Sequence, residues 1–224
     1  MSLKGYYKLE SDGTDYSGNG YTATGSGTPT YVSGKFGKCT SLARASSQFL
    51  IVNSTLGITS GAITMSAWVN FTGAPADNTY YGICGHAWNT ANYVFYRVLY
   101  AKISGVTQMI AWRSFAANNG PAVAATLTAG TWYHVVETYD NTNVNLYLNG
   151  RLLGSVADSG QGTGGPIGGI SSEFVIGQTD IVAYGNKYWN GLIDEVIVHN
   201  TAWSAQDVRR YYNQAKGRFA PSIS

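Results

Sequence analysis

The sequence predicts an all-β sandwich built as one domain over residues 1–224, with one short helix near its end. Three observations carry the prediction. Glycine (28 residues) and tyrosine (17) are abundant while charged residues make up only 12% of the chain, a balance of many turns and many strands. Apolar and polar residues alternate in short runs throughout, which is the period of a pleated strand. A helical stripe occurs in one segment only. A chain of 224 residues buries enough surface to fold without a disulfide framework, and no composition break, linker or internal repeat divides it.

The elements follow in order. Gly5-Tyr-Tyr-Lys-Leu-Glu10 reads as an opening strand. Ala62–Phe71 is the clearest run: Ile63, Met65, Ala67, Val69 and Phe71 form an apolar row, and Thr64, Ser66, Trp68 and Asn70 the opposite one. Trp68 is the exception, a large ring among small polar neighbours. Further strand-like runs are Tyr80–Cys84, Tyr93–Tyr100, Val106–Trp112 and Val123–Leu127. Thr131–Asp140 and Asn143–Asn149 flank a tight Asp-Asn-Thr turn whose side chains suit the turn backbone. In the second of these strands Val144, Leu146 and Leu148 face inward and Asn143, Asn145, Tyr147 and Asn149 outward. Asn149-Gly150 then turns into Arg151–Val156.

Residues 158–172 are glycine-rich but lack the Gly-Lys-Ser/Thr and the following helix of a phosphate cradle, so they read as a surface loop. Phe174–Gly177 and Leu192–His199 complete the strands. Alternation in the latter puts Ile193, Glu195, Ile197 and His199 on one face and Leu192, Asp194, Val196 and Val198 on the other. The helix is Ser204–Ala215, with Ser204 and Asp207 as a capping box, Gly217 as a stop, and Val208, Tyr211, Tyr212 and Ala215 as its stripe.

A net charge of +2 without long runs gives no steering towards nucleic acid or an anionic membrane, and neither is an expected partner. The densest basic stretch, Arg209, Arg210, Lys216 and Arg218, reads as a solvated helix face. No charged-then-apolar leader opens the chain and no apolar run is long enough to span a bilayer; an extracellular, virion or cell-surface location is expected. Cys39 and Cys84 read as reduced, buried thiols, with one disulfide as the alternative. The histidines at 86, 134 and 199 have no zinc spacing.

An ordered set of local patterns resembles the laminin-G-like branch of the concanavalin A-like superfamily. They are Tyr7-Lys-Leu-Glu10 with Asp15-Tyr-Ser-Gly-Asn-Gly20, Gly34-Lys-Phe-Gly-Lys-Cys39, and Ile63-Thr-Met-Ser-Ala-Trp-Val69. After them come Thr131-Trp-Tyr-His-Val-Val136 with Tyr139-Asp140, Asn145-Leu-Tyr-Leu-Asn-Gly150, and Gly191-Leu-Ile-Asp-Glu-Val-Ile-Val198. The resemblance implies a jelly-roll sandwich of two curved antiparallel sheets, one concave and one convex. One departure is that Leu42-Ala-Arg-Ala-Ser-Ser47 stands where the family often has Phe-Asp-Gly, so no ligand role of that Asp carries over.

The resemblance also implies a structural calcium near the sandwich edge, held by an acidic residue of the last strand, and Asp194 occupies that position. On a mostly apolar row its carboxylate needs a cation or a hydrogen-bond network, so it is expected as a ligand or a buried hub. Asp15-Tyr-Ser-Gly-Asn-Gly20 resembles the first half of a calcium loop, but Ser26 stands where a bidentate Glu would be and no helices flank it; an Asx-rich turn is the alternative. Asp194 and Asp15 are therefore the candidate calcium ligands.

Hydrolysis on this fold uses two carboxylates flanking the scissile bond. Glu10-Ser-Asp-Gly-Thr-Asp15 mimics the hydrolase motif only superficially, among turn residues, and Glu137 and His134 lie on opposite sides of one strand. No enzyme activity is expected. Sugar sites instead pair aromatic platforms with amide and guanidinium side chains. Those types are densest at His86, Trp88, Asn89, Tyr93, Tyr96, Arg97, Trp112 and Arg113, the candidate ligand-binding group. A second such cluster is Tyr184-Gly-Asn-Lys-Tyr-Trp189. The expected function is a non-catalytic, lectin-like module that binds a glycan or polysaccharide through the concave face and its loops, with calcium as structural helper. Other proteins on a particle or cell surface are further expected partners. The alternatives are a structural or host-adhesion protein of a virus or phage particle, and a polysaccharide-degrading enzyme.

Overall fold

The computed structural model describes residues 2–58, 61–86, 96–113, 120–158, 173–179 and 187–217. Fifteen strands and one α-helix lie among the described residues. The first five strands are β1 (Leu3–Tyr7), β2 (Thr24–Ser26), β3 (Thr30–Ser33), β4 (Lys38–Leu42) and β5 (Phe49–Val52). The long central ones follow: β6 (Ile63–Phe71), β7 (Thr79–His86), β8 (Tyr96–Ile103), β9 (Val106–Arg113) and the short β10 (Ala122–Ala124). Then come β11 (Tyr133–Tyr139), β12 (Asn143–Leu148), β13 (Arg151–Ala157), β14 (Phe174–Ile176), β15 (Gly191–His199) and the helix α1 (Ala205–Gly217).

The strands form the two antiparallel sheets of the predicted sandwich. One has eight strands in the order β13-β12-β11-β6-β15-β4-β3, with β1 also on β15; the other has seven in the order β10-β9-β8-β7-β14-β5-β2. The alternation of β6 fixes its orientation, since Ile63, Met65, Ala67, Val69 and Phe71 all enter the core between the sheets. They meet Tyr81, Ile83, Val98, Tyr100, Met109, Ala111 and Phe174 from the opposite sheet. Full burial of each such side chain contributes about 1.5–3 kcal/mol. In the β11–β12 turn Asp140 Oδ1 accepts the Thr142 and Asn143 N–H groups at 2.9 and 2.6 Å. Cys39 and Cys84 are free and buried, one on each sheet.

Trp68 finds its reason in α1. The helix lays its apolar stripe on the outer face of the eight-stranded sheet, where Val208 joins Val136, Tyr147, Ile197 and Trp203. Trp68 is 2% exposed, stacked on Tyr212 with ring centroids 5.7 Å apart and edged by Phe36 at 5.5 Å. The outer row of β6 is thus a second, smaller core. Arg209 and Arg210 of the helix stay exposed, as the charge pattern predicts.

One expectation about β15 is corrected. Its pairing with β6 shifts register between Asp194 and Ile197, and Glu195 takes a left-handed φ of 50°. This bulge inserts one residue and reverses the parity beyond it. Ile193, Val196 and Val198 therefore face the core, while Ile197 packs beneath α1. Asp194 leaves the Val196–Val198 row and pairs with Trp68 on the outer side.

Candidate functional site

On the seven-stranded sheet the outer face carries a group of aromatic and cationic residues, and its β8–β9 part is buried, with Leu99, Ala101 and Ile110 inaccessible to solvent. The β8–β9 register pairs Arg97 with Trp112, and the guanidinium carbon lies 4.9 Å from the indole centroid. Leu99, Ala101 and Ile110 extend this into an apolar cluster bordered by Tyr80 and Ile103. Arg97 and Trp112 are 4% and 8% exposed, so they form the floor of this face rather than its contact surface.

The part-exposed groups lie across the sheet from there. Tyr80, on β7, has its ring 6.0 Å from Trp112, with Lys187 Nζ 5.2 Å from its centroid. Tyr188 lies 5.9 Å from Phe49 of β5. Arg44 joins these two halves: its Nη1 donates to the Tyr80 and Tyr188 carbonyls at 3.1 and 3.2 Å, and its guanidinium lies 5.3 Å from the Tyr81 ring. The 187–190 segment reaches this position because Gly82 N–H donates to Lys187 O at 2.8 Å. A Cβ at Gly82 would stand 2.6 Å from that same carbonyl, so only glycine permits the approach. Tyr80, Phe49, Lys187, Tyr188 and Arg44 are all intermediate in exposure. The arrangement offers aromatic faces and cationic donors to one ligand surface.

The predicted ligand-binding group divides. Trp88, Asn89 and Tyr93 lie outside the described residues. Arg97 and Trp112 share the outer face as just described. His86, Tyr96 and Arg113 do not; they turn inward, and the expectation that they join one surface with Arg97 and Trp112 is corrected on that ground. Strand parity is the cause, since Tyr96 and Arg113 are opposed in register and one step from Arg97 and Trp112. Arg113 pairs with Asp158, its guanidinium 4.2 Å from the Tyr139 ring, and Tyr139 donates to Asp158 at 2.8 Å. Tyr96 donates to Gly61 O at 3.0 Å. His86 is fully buried against Phe174, and burial lowers its pKa to about 4. The second cluster divides as well. Trp189 is core, Lys187 and Tyr188 reach the surface, and residues 184–186 lie outside the described residues.

Arg44, Phe49 and Tyr80 are the site residues that sequence reasoning missed. Phe49-Leu-Ile-Val52 is too short and too uniformly apolar to display alternation, and Arg44 stands in a segment distinguished only by its departure from the family pattern.

The candidate catalytic groups are tied into the fold or buried in it. Glu10 Oε2 accepts the Lys38 N–H at 2.8 Å. His134 Nε2 lies 2.8 Å from Ser66 Oγ, but both are buried under α1 and burial lowers the imidazole pKa to about 3. A neutral, enclosed imidazole without an acid on Nδ1 orders Ser66 rather than activating it. Glu137 is wholly buried in the core side of β11.

At the two candidate calcium residues the carboxylates differ. Asp15 spends both oxygens: Oδ1 accepts from Tyr6 N and Ser17 N at 3.0 and 2.8 Å, Oδ2 from Ser17 Oγ and Tyr21 N at 2.8 and 3.0 Å. Burial pushes its pKa up, but these hydrogen bonds outweigh that and hold it below the ordinary carboxylate value. It is the hub of an Asx turn. Asp194 Oδ2 accepts the Lys35 and Phe36 N–H groups, both at 2.9 Å, and so closes the Gly34–Gly37 turn; Oδ1 is buried and without a partner. Burial pushes this carboxyl up to about 7. Among the described residues no three His, Cys, Asp or Glu side chains converge as a metal cluster.

A two-sheet jelly roll carrying a helix on one sheet and an aromatic, cationic surface on the other defines a class of β-sandwich domains. A sequence profile of the concanavalin A-like lectin/glucanases superfamily, laminin-G type, matches residues 44–209, and the chain belongs to that family. No curated protein sequence matches it. Among solved structures it is similar to domain 4 of AbnA, an extracellular arabinanase from Geobacillus stearothermophilus, solved with arabinotriose. That likeness has 21% identity and a TM-score of 0.70, over 93% of this chain and 97% of that one. The binding domain of Paraclostridial Mosquitocidal Protein 1 is similar at 18% identity and a TM-score of 0.69, over 95% of this chain and 52% of that one. The receptor-binding domain of botulinum neurotoxin mosaic serotype C/D follows at 15% and 0.68, over 95% and 51%. The chain thus spans about half the length of the toxin domains. These likenesses establish the shared fold. No helix among the described residues is long and apolar enough to cross a membrane.

Proposed function

We propose that the protein is a non-catalytic carbohydrate-binding module that acts outside the cell or at a surface, and that the outer face of its seven-stranded sheet receives the glycan. The observation that carries the reading is the Trp112–Tyr80 and Tyr188–Phe49 aromatic pairs tied together by Arg44. Aromatic faces stack on sugar C–H surfaces, and Arg and Lys donors supply hydrogen bonds to hydroxyls. The arabinotriose in the AbnA domain supports an oligosaccharide as the ligand class. A glycan array is the test. Tyr80→Ala or Tyr188→Ala should weaken each hit roughly tenfold, about 1–2 kcal/mol of lost stacking, without lowering thermal stability comparably. Silence across diverse sugars overturns the reading.

We also propose a structural calcium ion anchored by Asp194. Its support is the orphaned, buried Oδ1, which a cation or a proton must satisfy. The ion would supply charge compensation and tie β15 to the Gly34–Gly37 turn, its remaining ligands being backbone carbonyls and water. Asp194→Ala should cost about 2–4 kcal/mol by leaving two turn N–H groups unpaired. Calcium should raise the melting temperature of the parent protein and leave that of Asp194→Ala unchanged; equal insensitivity of both to chelator and calcium contradicts the ion.

A further inference from the structure

A second surface lies on the opposite side of the sandwich. Between α1 and the β12–β13 turn runs a groove of about 980 Å³, lined by Asn149, Arg151, Leu152, Arg209, Tyr212 and Asn213 among others. Among the described residues its lining contains two guanidinium groups and no carboxylate. Arg151 and Arg209 are exposed, and among the described residues neither enters an ion pair, whereas neighbouring Arg210 is held by Asp207 at 2.6 Å. Leu152 is 54% exposed, an apolar surface open to solvent.

The walls are fixed in place. Tyr212 is locked by its stack on Trp68, and the Asn149-Gly150 turn closes directly against its ring, where a Cβ at Gly150 would stand 3.0 Å from Tyr212 Cδ1. Asn149 accepts the His134 N–H through Oδ1 at 2.9 Å, which leaves its amide NH₂ as the donor. A second groove of about 630 Å³ continues along the helix through Gln206, Arg210 and Gln214, sharing Arg209 and Asn213.

We propose that this groove is a second ligand site, for an acidic oligosaccharide whose rings carry carboxylate or sulfate. Each part of the ligand has a counterpart. Unpaired guanidinium groups fork onto the anionic substituents. Side-chain amides suit the hydroxyls, and Leu152 offers an apolar surface for a C–H face. The continuation along α1 accommodates more than one ring. A nucleic acid backbone, with a charge on every residue, needs a longer row of cations than this groove supplies. The site lies on the helix side of the eight-stranded sheet, away from the seven-stranded face, so one polysaccharide chain with both features gains avidity without either site changing.

The test is titration calorimetry of the full chain with an oligogalacturonate tetramer, its carboxyl-reduced neutral counterpart, and sodium sulfate. The acidic tetramer should bind, and its affinity should fall at least about tenfold between about 50 and about 500 mM salt. Arg151→Ala/Arg209→Ala should lower that affinity about tenfold or more at unchanged melting temperature, while Tyr80→Ala should leave it intact. Four results overturn the site: no binding, equal binding of the neutral tetramer, an undiminished affinity in the double variant, or loss in Tyr80→Ala. Competition by sulfate at equal charge concentration also overturns it, since the groove would then hold an adventitious anion only.

Discussion

Trp68→Ala should destabilise the protein by about 3–5 kcal/mol, the cost of emptying a site filled by a buried indole. The loss should exceed that of an ordinary surface strand position, because the ring stands between β6 and α1. Its neighbours come from three separate segments: Lys35, with Nζ 5.1 Å from the centroid, and the adjacent Phe36; His134, with its ring 5.1 Å away; and Tyr212. None of these can collapse into the void without moving the helix or the Gly34–Gly37 turn. For a chain of this size the loss corresponds to roughly 10 °C or more in melting temperature. Limited proteolysis should cut within or before α1 earlier than in the parent, since helices of this length depend on packing for their stability. Unaltered protection of α1 would show that the stack contributes little to docking it.

Glu137 gives the second large effect, and its sign depends on pH. Both carboxylate oxygens are buried without a hydrogen-bond partner, and burial pushes the pKa well above the ordinary value, a rise that the charge of Arg97 only partly offsets. A folded-state pKa raised above the unfolded one means that the folded protein holds the proton more tightly. The associated stability is fully present below the unfolded pKa and is lost as pH rises through the folded one. Stability should therefore decline as pH rises above about 6.5, beyond the range in which the buried, neutral His86 and His134 gain stability with rising pH. Glu137→Gln, of the same shape but without a titrating proton, should flatten most of that decline. Glu137→Met should be more stable than the parent at pH 8 by about 1–3 kcal/mol, the desolvation cost of an unpaired polar group. What slope remains in Glu137→Gln belongs to Asp194, whose raised pKa lowers stability up to about pH 7, and to His86 and His134, whose lowered pKa values raise it up to about pH 6.5. Urea unfolding at several pH values measures all of this. A Glu137→Gln variant less stable than the parent at pH 8 would mean instead that the carboxylate is ionised and paired with Arg97.

How much was legible in the sequence follows the same physics. Long strands whose core-facing row is uniformly apolar, such as β6 and β12, display their period directly, and the Asp140 and Asn149 turns on either side of β12 carry the residues those turns require. β2, β3 and β5 were missed because three or four residues cannot show a period. The bulge at Asp194 and Glu195 has no local signature, since neither residue is a glycine, and it inverted the facing of the residues after it. Trp68 was visible as an anomaly, but its cover lies well over a hundred residues away in α1. The site was the least legible part. Composition singled out β8 and β9 for their aromatic and guanidinium side chains, yet parity sends Tyr96 and Arg113 inward and Arg97 and Trp112 outward. Arg44 and Phe49 join Tyr80 and Tyr188 only through the sheet order, which no single segment encodes.

Amide chemical-shift mapping with a glycan selected by array locates the surface that receives the sugar. If the outer face of the seven-stranded sheet is the glycan surface, the perturbed amides cluster at residues 44–49, 79–82 and 187–190, with smaller shifts at Arg97 and Trp112. Perturbations centred instead on α1 and the Asn149-Gly150 turn for a neutral glycan, or none anywhere, would contradict it.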